Sequence, residues 1–409
     1  MEEISDCRIC KSTLTPVWPL RDAPYGDLFK TIKKQAIVLP KHRIVLARCT
    51  HCKLLQLLNT TSPDDLYGDY LYFTKNTNQL GKFYSEIGQQ LIQEYNLNSK
   101  GIIFDIGSND GTYLEFFSKN GFQVLGMDPS KPASDYSNKS NIHTINDYFN
   151  KNSIVKNELQ KFSYSLISIN YTLANVPSVT DFLTDVASIM SDETILSVVT
   201  GYHLDQFSHN MFDYIGHDHL TYLTITDLDS LCKNLGLKLL DVNRYEHKGG
   251  SIHLIFSKAN TKLEVKSSVK QNLQREMWLE SSSNESIHVM AGNVAHSKLA
   301  LQNLISSGSS RLVGAVGASI STSHLMNEFE IADKIKVLFD DDPNKIGKYS
   351  PFYGIPVHNL ERLGEINPEI LVILAWQHTN KLLERLRDLK YNGLLVIPLP
   401  HFKVFYLED

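Results

Sequence analysis

GIIFDIGSNDGTYLEFFSKNGFQVLGMDPS, residues 101–130, decides how the rest of the chain is read. IIFDIG is a short apolar run of buried-strand type. GSNDG is a tight glycine turn. TYLEFFSKN has the spacing of an amphipathic helix, closed by Gly121. FQVLGMD is a second apolar strand, and it ends in an acid, Asp128. The acid stands about 20 residues beyond the glycine turn, as in a nucleoside-binding β-turn-α-β unit. The glycine spacing is not that of a dinucleotide fingerprint, because Gly107 and Gly111 are four apart. A pyrophosphate also needs bare backbone at the turn. Here Asp105 and Asp110 place carboxylates beside it. Those carboxylates suit a cationic ligand with a ribose, and Asp128 suits the ribose hydroxyls. The unit therefore predicts S-adenosylmethionine (SAM), with Asp105, Gly107, Asn109, Asp110, Gly111 and Asp128 as cofactor contacts.

Outward from this unit, apolar runs recur at NIHTI, YSLISIN, TILSVVT, LKLLDV and SIHLIFS, with helical stretches between several of them. With the first two strands they make seven, the last two forming a hairpin-like pair across a Gly-Gly. This predicts a mixed, Rossmann-like sheet covered by helices. The fourth strand ends at SINYTLANV. Ligands of open α/β sheets gather at the carboxyl ends of strands, so Asn170 and Asn175 become candidates to line the site.

The chain has 409 residues, enough for two or three domains. Composition is that of an ordinary globular protein, 42% hydrophobic and 21% charged, with a net charge of −5. That balance points to neither a nucleic acid nor a membrane surface. No apolar run is long enough to span a bilayer, and MEEISDCRIC has no signal-peptide core. A cytoplasmic enzyme acting on a small molecule is expected, and a monomer, since no extended hydrophobic seam is evident.

Four of the five cysteines form two Cys-x-x-Cys pairs, CRIC at Cys7 and Cys10 and CTHC at Cys49 and Cys52. Each pair sets two thiolates on one side of a tight knuckle, and two knuckles complete a closed tetrahedral S4 shell. A shell without an open position predicts structural Zn²⁺. The run LLQLL that follows is expected to dock this module onto the next domain. A tyrosine-rich stretch comes next, with Tyr67, Tyr70, Tyr72 and Tyr84.

Beyond residue 260 the chain reads as a helical connection, then a second α/β pattern. RLVGAVGAS is a strand into a glycine turn, KIKVLFDDD a strand into an acidic one, and EILVILAW and LLVIPLP are further strands. Gly314, Gly317 and Ser319 could cradle a phosphate or serve the turn alone. The offset of about 210 residues from the first unit is at most a distant repeat. The expected architecture is α/β, with a zinc-binding module over 1–75, a SAM domain over 76–259, and a connection plus Rossmann-like domain over 260–409.

DYIGHDHLTYLT, from Asp213 to Thr224, carries His-x-His. Both rings would share one face of a strand, which suits a metal, an acid–base pair or a structural role. His203 and His209 lie upstream without completing an evident ligand set.

Taken together, CRIC, CTHC with CKLLQL, DYLYFT, IGSNDGTYLEFF with MDPS, FDYIGHDHLTYL, HKGGSIHL, GAVGASISTSHLMN and DDDPNKIGKYSPFYGIPV resemble the sugar C-methyltransferases of deoxysugar and lipopolysaccharide pathways. The resemblance covers nearly the whole chain. It implies zinc-binding, SAM and Rossmann-like domains in that order, and a nucleotide-linked, usually dTDP-linked, 4-keto-6-deoxysugar methylated at carbon 3. It places His219 on the family's acid–base histidine, Asp218 on its glutamate, and Tyr72 on its active-site tyrosine, with His217 beside them. Asn175, Tyr222, Gly317 and Ser319 are then candidates for the substrate. Two positions depart from the family pattern: Gly216 stands for a tyrosine and Asn175 for a histidine. A changed carbon or sugar, O- or N-methylation, or a non-catalytic SAM-binding partner would each accommodate those losses.

Overall fold

The computed structural model describes residues 2–25, 28–60, 62, 63, 66, 73–76, 78–280, 283–307 and 311–407. Its centre is a seven-stranded sheet of β1 (Ile102–Ile106), β2 (Gln123–Met127), β3 (Thr144–Ile145), β4 (Tyr164–Asn170), β5 (Ile195–Gly201), β6 (Leu237–Tyr245) and β7 (Ser251–Lys258). Their order is β6-β7-β5-β4-β1-β2-β3. β1 to β5 pair in parallel, while β7 is antiparallel to both β5 and β6. β4 is buried at all seven positions, as expected of a strand covered on both faces. Alternation sends Ile103 into a core with Leu80, Ile87 and Leu114, and Phe104 into one with Leu183 and Leu228 on the opposite face. The chain leaves β1 toward β2 on one side and later places β4 on its other side. That topological switch leaves a crevice at the carboxyl ends of β1 and β4.

The zinc module is a four-stranded sheet ordered Thr221–Tyr222, Leu55–Leu57, His42–Cys49, Leu14–Ala23. Its edge strand belongs to the His-x-His segment, far away in sequence: Thr221 pairs with Gln56 and Tyr222 with Leu55. Leu57 N donates to the Leu220 carbonyl at 3.0 Å, and Leu220 N to the Ala174 carbonyl at 2.8 Å. The LLQLL run thus becomes a strand inside this sheet, with Leu54 buried against the central domain.

Two helices, Ser267–Glu280 and Ser283–Ser306, lead to the C-terminal sheet. Its strands are β8 (Val313–Val316), β9 (Val337–Phe339), β10 (Val357–His358), β11 (Ile370–Ile373), β12 (Leu394–Ile397) and β13 (Lys403–Phe405), ordered β10-β9-β8-β11-β12-β13. All are parallel except β13. Among the described residues no helix is long and apolar enough to cross a membrane.

Candidate active site

One cavity of about 1460 Å³ runs from the carboxyl ends of β1 and β4 to those of β8 and β11. Single small-ligand pockets are usually roughly 300–1,000 Å³, so this cavity has room for two ligands.

At its first end the β1 turn is held open by backbone geometry. Gly107 and Gly111 have φ of 79° and 80°, and Asn109 has 50°. A Cβ on Gly107 would stand 2.1 Å from Thr172 Oγ1. Asp128 takes the Asn109 N–H on one carboxylate oxygen and the Ser130 N–H on the other, each at 2.8 Å. Each oxygen keeps a lone pair for a ligand hydroxyl. Burial raises Asp128 to about 6, although those N–H groups oppose it. Asp105 accepts from Ser168 Oγ at 2.6 Å and Asn170 Nδ2 at 3.0 Å. Burial still pushes its carboxyl up to about 7. A cationic ligand beside it would reverse that shift. Ser108 Oγ and Asn170 Oδ1 are buried in the same wall without a protein partner. Buried polar atoms of this kind call for a ligand, and the acids call for a positive one with hydroxyls. The residues present fit SAM.

Asp105, Gly107, Asn109, Asp128 and Asn170 all line the cavity. Asp110 and Gly111 are not part of its lining. Asp110 turns instead to the Thr112 hydroxyl at 2.6 Å and the Lys75 N–H at 2.9 Å, fixing the turn from behind.

The His-x-His segment crosses the middle of the cavity. Asp218, His219 and Tyr222 line it, as does Asn175 from the β4 side. His219 Nδ1 lies 2.9 Å from the Tyr214 carbonyl, and its ring stacks on that of Tyr214 at 5.9 Å. A carbonyl can only accept, so Nδ1 carries the proton and Nε2 is left as a base. Asp218 Oδ2 stands 4.0 Å from Nε2. Burial raises the Asp218 carboxyl, but attraction to His219 and then His324 brings it below the usual carboxylate range. His217 faces the other way. It lies outside the cavity wall, 3.2 Å from the His42 carbonyl and edge-on to Tyr25 and His324. Burial lowers it to about 3, so it is neutral. Among the described residues no third ligand joins His217 and His219 in a metal cluster. Tyr67, Tyr70 and Tyr72 lie outside the described residues; Tyr84 lines the cavity and packs edge-on to Tyr113 at 5.2 Å.

Gly216 has a local reason to be glycine. A Cβ there would meet His324 Cε1 at 2.6 Å and Asp218 Oδ1 at 3.0 Å. His324, from the helix Ile320–Glu328 of the C-terminal domain, occupies the space a side chain would need.

At the far end Gly317 and Ser319 line the cavity. The turn after β8 repeats the one after β1. Gly317 N donates to the Phe339 carbonyl at 2.8 Å, as Gly107 N does to that of Met127. Asp340 takes the Ala318 N–H at 2.7 Å and the Asp342 N–H at 2.8 Å, as Asp128 takes those of Asn109 and Ser130. Two strand-turn-helix units therefore face each other across one space.

Several wall residues have no site role legible in the sequence. His203 follows β5, is buried against Phe207 and Tyr222, and is lowered by burial to about 3. His247 and Lys248 come from the turn between β6 and β7. His203 and the HKGGSIHL stretch are visible in the sequence, but no local pattern there brings their side chains to the cavity.

The four cysteines meet within the zinc module, where Gln56 Nε2 donates to Cys7 Sγ at 3.2 Å. Cys7 and Cys52 Sγ are 3.6 Å apart, Cys10 and Cys49 Sγ 3.4 Å, and all four lie within 4.8 Å of one another. Zn–S bonds of ~2.3 Å space tetrahedral sulfurs by roughly 3.8 Å. Ile9 N–H donates to Cys7 Sγ and His51 N–H to Cys49 Sγ, each at 3.4 Å. The quartet is a structural zinc site. It fixes the sheet whose edge strand follows directly on His219.

Three family models match consecutive parts of the chain: a zinc binding domain over residues 7–67, a methyltransferase domain over 73–242, and a C-methyltransferase C-terminal domain over 246–400. The chain is 23% identical to C-methyltransferase NovU of Streptomyces niveus over 365 residues, covering 88% of this chain and 87% of that one. Among solved structures it is similar to the plantazolicin methyltransferase BpumL, at 18% identity and a TM-score of 0.36 over 45% of this chain and 87% of that one. The magnesium protoporphyrin IX methyltransferase ChlM of Synechocystis PCC 6803 is likewise similar, at 12% identity and 0.36 over 46% and 89%.

Proposed function

We propose that this chain, which belongs to the zinc-containing SAM-dependent C-methyltransferases, acts on a nucleotide-linked 4-keto-6-deoxysugar. The nucleotide is dTDP and the carbon methylated is C3. The observation that carries this reading is the continuity of one cavity from the SAM turn, past His219, to the glycine turn of the C-terminal domain. A sugar nucleotide is long enough to use both ends. Its reacting carbon would lie by His219, and its phosphates would lie near Gly317 and Ser319, where Lys345 and Lys381 line the cavity and offset the charge of Asp340 and its neighbours.

A C–H beside a ketone is weakly acidic, so the site must take the proton and steady the anion that forms. His219 Nε2 takes it, with the tautomer fixed by the Tyr214 carbonyl. Asp218 steadies the imidazolium as it appears. Bound SAM supplies a methyl group made electrophilic by the sulfonium charge. Asp105, Asp128, Ser108 and Asn170 would hold it. A cavity shared by the central and C-terminal sheets holds both partners in place.

Incubation with SAM and dTDP-4-keto-6-deoxyglucose, followed by mass spectrometry of the sugar nucleotide, tests the reading. A gain of one methylene unit supports it. An unchanged mass despite saturating SAM contradicts the choice of sugar.

A further inference from the structure

Lys248 occupies an uncommon place. It has φ 51° and ψ 36°, a left-handed backbone disfavoured for a residue with a Cβ. Gly249 and Gly250 follow at φ 73° and 135°. The helix His203–Ser208 and the residues after it hold the loop in this shape. Gln206 Nε2 donates to the Lys248 carbonyl at 3.1 Å, and Tyr202 N to the Gly250 carbonyl at 2.9 Å. A Cβ on Gly249 would stand 1.9 Å from Met211 Sδ, and one on Gly250 2.6 Å from Asp205 Cβ. The clamped loop leaves Lys248 in the cavity wall, its Nζ 3.8 Å from the centroid of the Tyr171 ring.

That position lies between the SAM turn and the base. Tyr171 follows Asn170 at the end of β4, and Lys248 also feels the charge of Asp218, the neighbour of His219. The groups facing it are Tyr171, Asp218 and His247, with His378 behind His247. Burial lowers Lys248 to about 8, with Asp218 opposing, so it is charged at neutral pH. Burial holds His203 near 3 and His247 near 4, so neither supplies positive charge there. Lys345 and Lys381 line the end of the cavity formed by the C-terminal sheet.

We propose that the Lys248 ammonium is a catalytic residue that stabilises the oxyanion of the acceptor. The inference rests on the C-methylation reading above. When His219 Nε2 takes the proton, the C–H pair becomes the new C–C double bond and the carbonyl pair moves to oxygen. Lys248 donates a hydrogen bond to that oxygen and keeps its proton.

The test compares the zinc-loaded wild-type chain with Lys248→Met and Lys248→Arg on dTDP-4-keto-6-deoxyglucose. It measures deuterium uptake at the acceptor carbon from heavy water, methyl transfer from SAM, SAM affinity, and the pH profile of kcat. Lys248→Met is expected to lose about 100-fold in exchange and in kcat with SAM affinity nearly unchanged. The wild-type rate falls above about pH 8 as the ammonium loses its proton, while the ever-charged Lys248→Arg keeps its plateau beyond that pH. Exchange and methylation by Lys248→Met at close to the wild-type rate, or a shared alkaline limb for wild type and Lys248→Arg, would overturn the proposal. If Lys248→Met fails to bind SAM, the Arg comparison decides alone. A wild type that neither exchanges nor methylates this sugar contradicts the acceptor proposed above, and the role of Lys248 on it falls with that acceptor.

Discussion

The indole N–H of Trp376 donates to Asp213 Oδ2 at 3.0 Å, joining the C-terminal domain to the segment that carries His219. Both residues line the cavity. Phe212 reinforces the junction by stacking on Phe329 at 5.8 Å. A buried carboxylate thus lies where the His219 segment meets the C-terminal end of the cavity.

That carboxylate sets a pH dependence. Burial raises Asp213 to about 7, and the Trp376 N–H only partly opposes it. The folded chain thus binds this proton more tightly than the unfolded one. Stability from Asp213 is full below the ordinary carboxylate range and declines as pH rises toward 7. Asp213→Asn keeps an oxygen for Trp376 and removes the charge. It should match the wild type near pH 4 and exceed it at pH 8, by up to a few kcal/mol at about 1.4 kcal/mol per unit. Urea unfolding followed across that range measures the difference. A constant gap at every pH would argue against the carboxylate as its source.

His219→Gln removes the proposed base while leaving a side chain of similar reach. We expect kcat to fall by about 10²–10⁴-fold, with SAM affinity unchanged, because His219 makes no contact with the SAM turn among the described residues. Calorimetric titration of SAM alongside a turnover assay separates the two effects. Equal losses in both would mean that the ring supports the fold rather than the chemistry.

The zinc shell should matter to catalysis through the Tyr222–Leu55 pairing. Cys49→Ser is expected to lower zinc content from about one per chain to near zero. It should also cut turnover more than it weakens SAM binding, since the Asp105 and Asp128 cluster lies on another sheet. Metal analysis and the same titration check this. Full activity without zinc would uncouple the module from the site.

Gly216 should tolerate nothing larger. Gly216→Ala places a methyl 2.6 Å from His324 Cε1, and the overpacking should cost roughly 1–3 kcal/mol. Pairing it with His324→Ala removes the obstacle and should recover part of that loss. Thermal unfolding of the single and double variants reads it directly. Additive losses would show that His324 is not what excludes the side chain.

Much of this architecture is readable from local pattern. The β1-turn-helix-β2 unit announces itself because strand, glycine turn, helix and acid are contiguous, and each has its own chemistry. The cysteine knuckles are equally local. What escapes is long-range. Thr221–Tyr222 joins the zinc module through an edge pairing that two residues cannot advertise. β10 and β13 are two and three residues long, too short to show a period. Lys248 reaches the cavity because glycines beside it accept a shape dictated by a different helix. The glycine at 216 reflects a histidine more than a hundred residues away in sequence. His217 and His219 look equivalent as letters, yet one faces Tyr25 and His42 and the other the cavity.

The central claim is carbon methylation beside a ketone, with His219 as base. The most direct measurement uses SAM labelled with ¹³C in its methyl group, dTDP-4-keto-6-deoxyglucose, and carbon–proton correlation NMR of the product. The account predicts the label on C3, now a carbon without hydrogen, and loss of that signal in His219→Gln. A label on oxygen or nitrogen, or at a carbon not adjacent to the ketone, would contradict it.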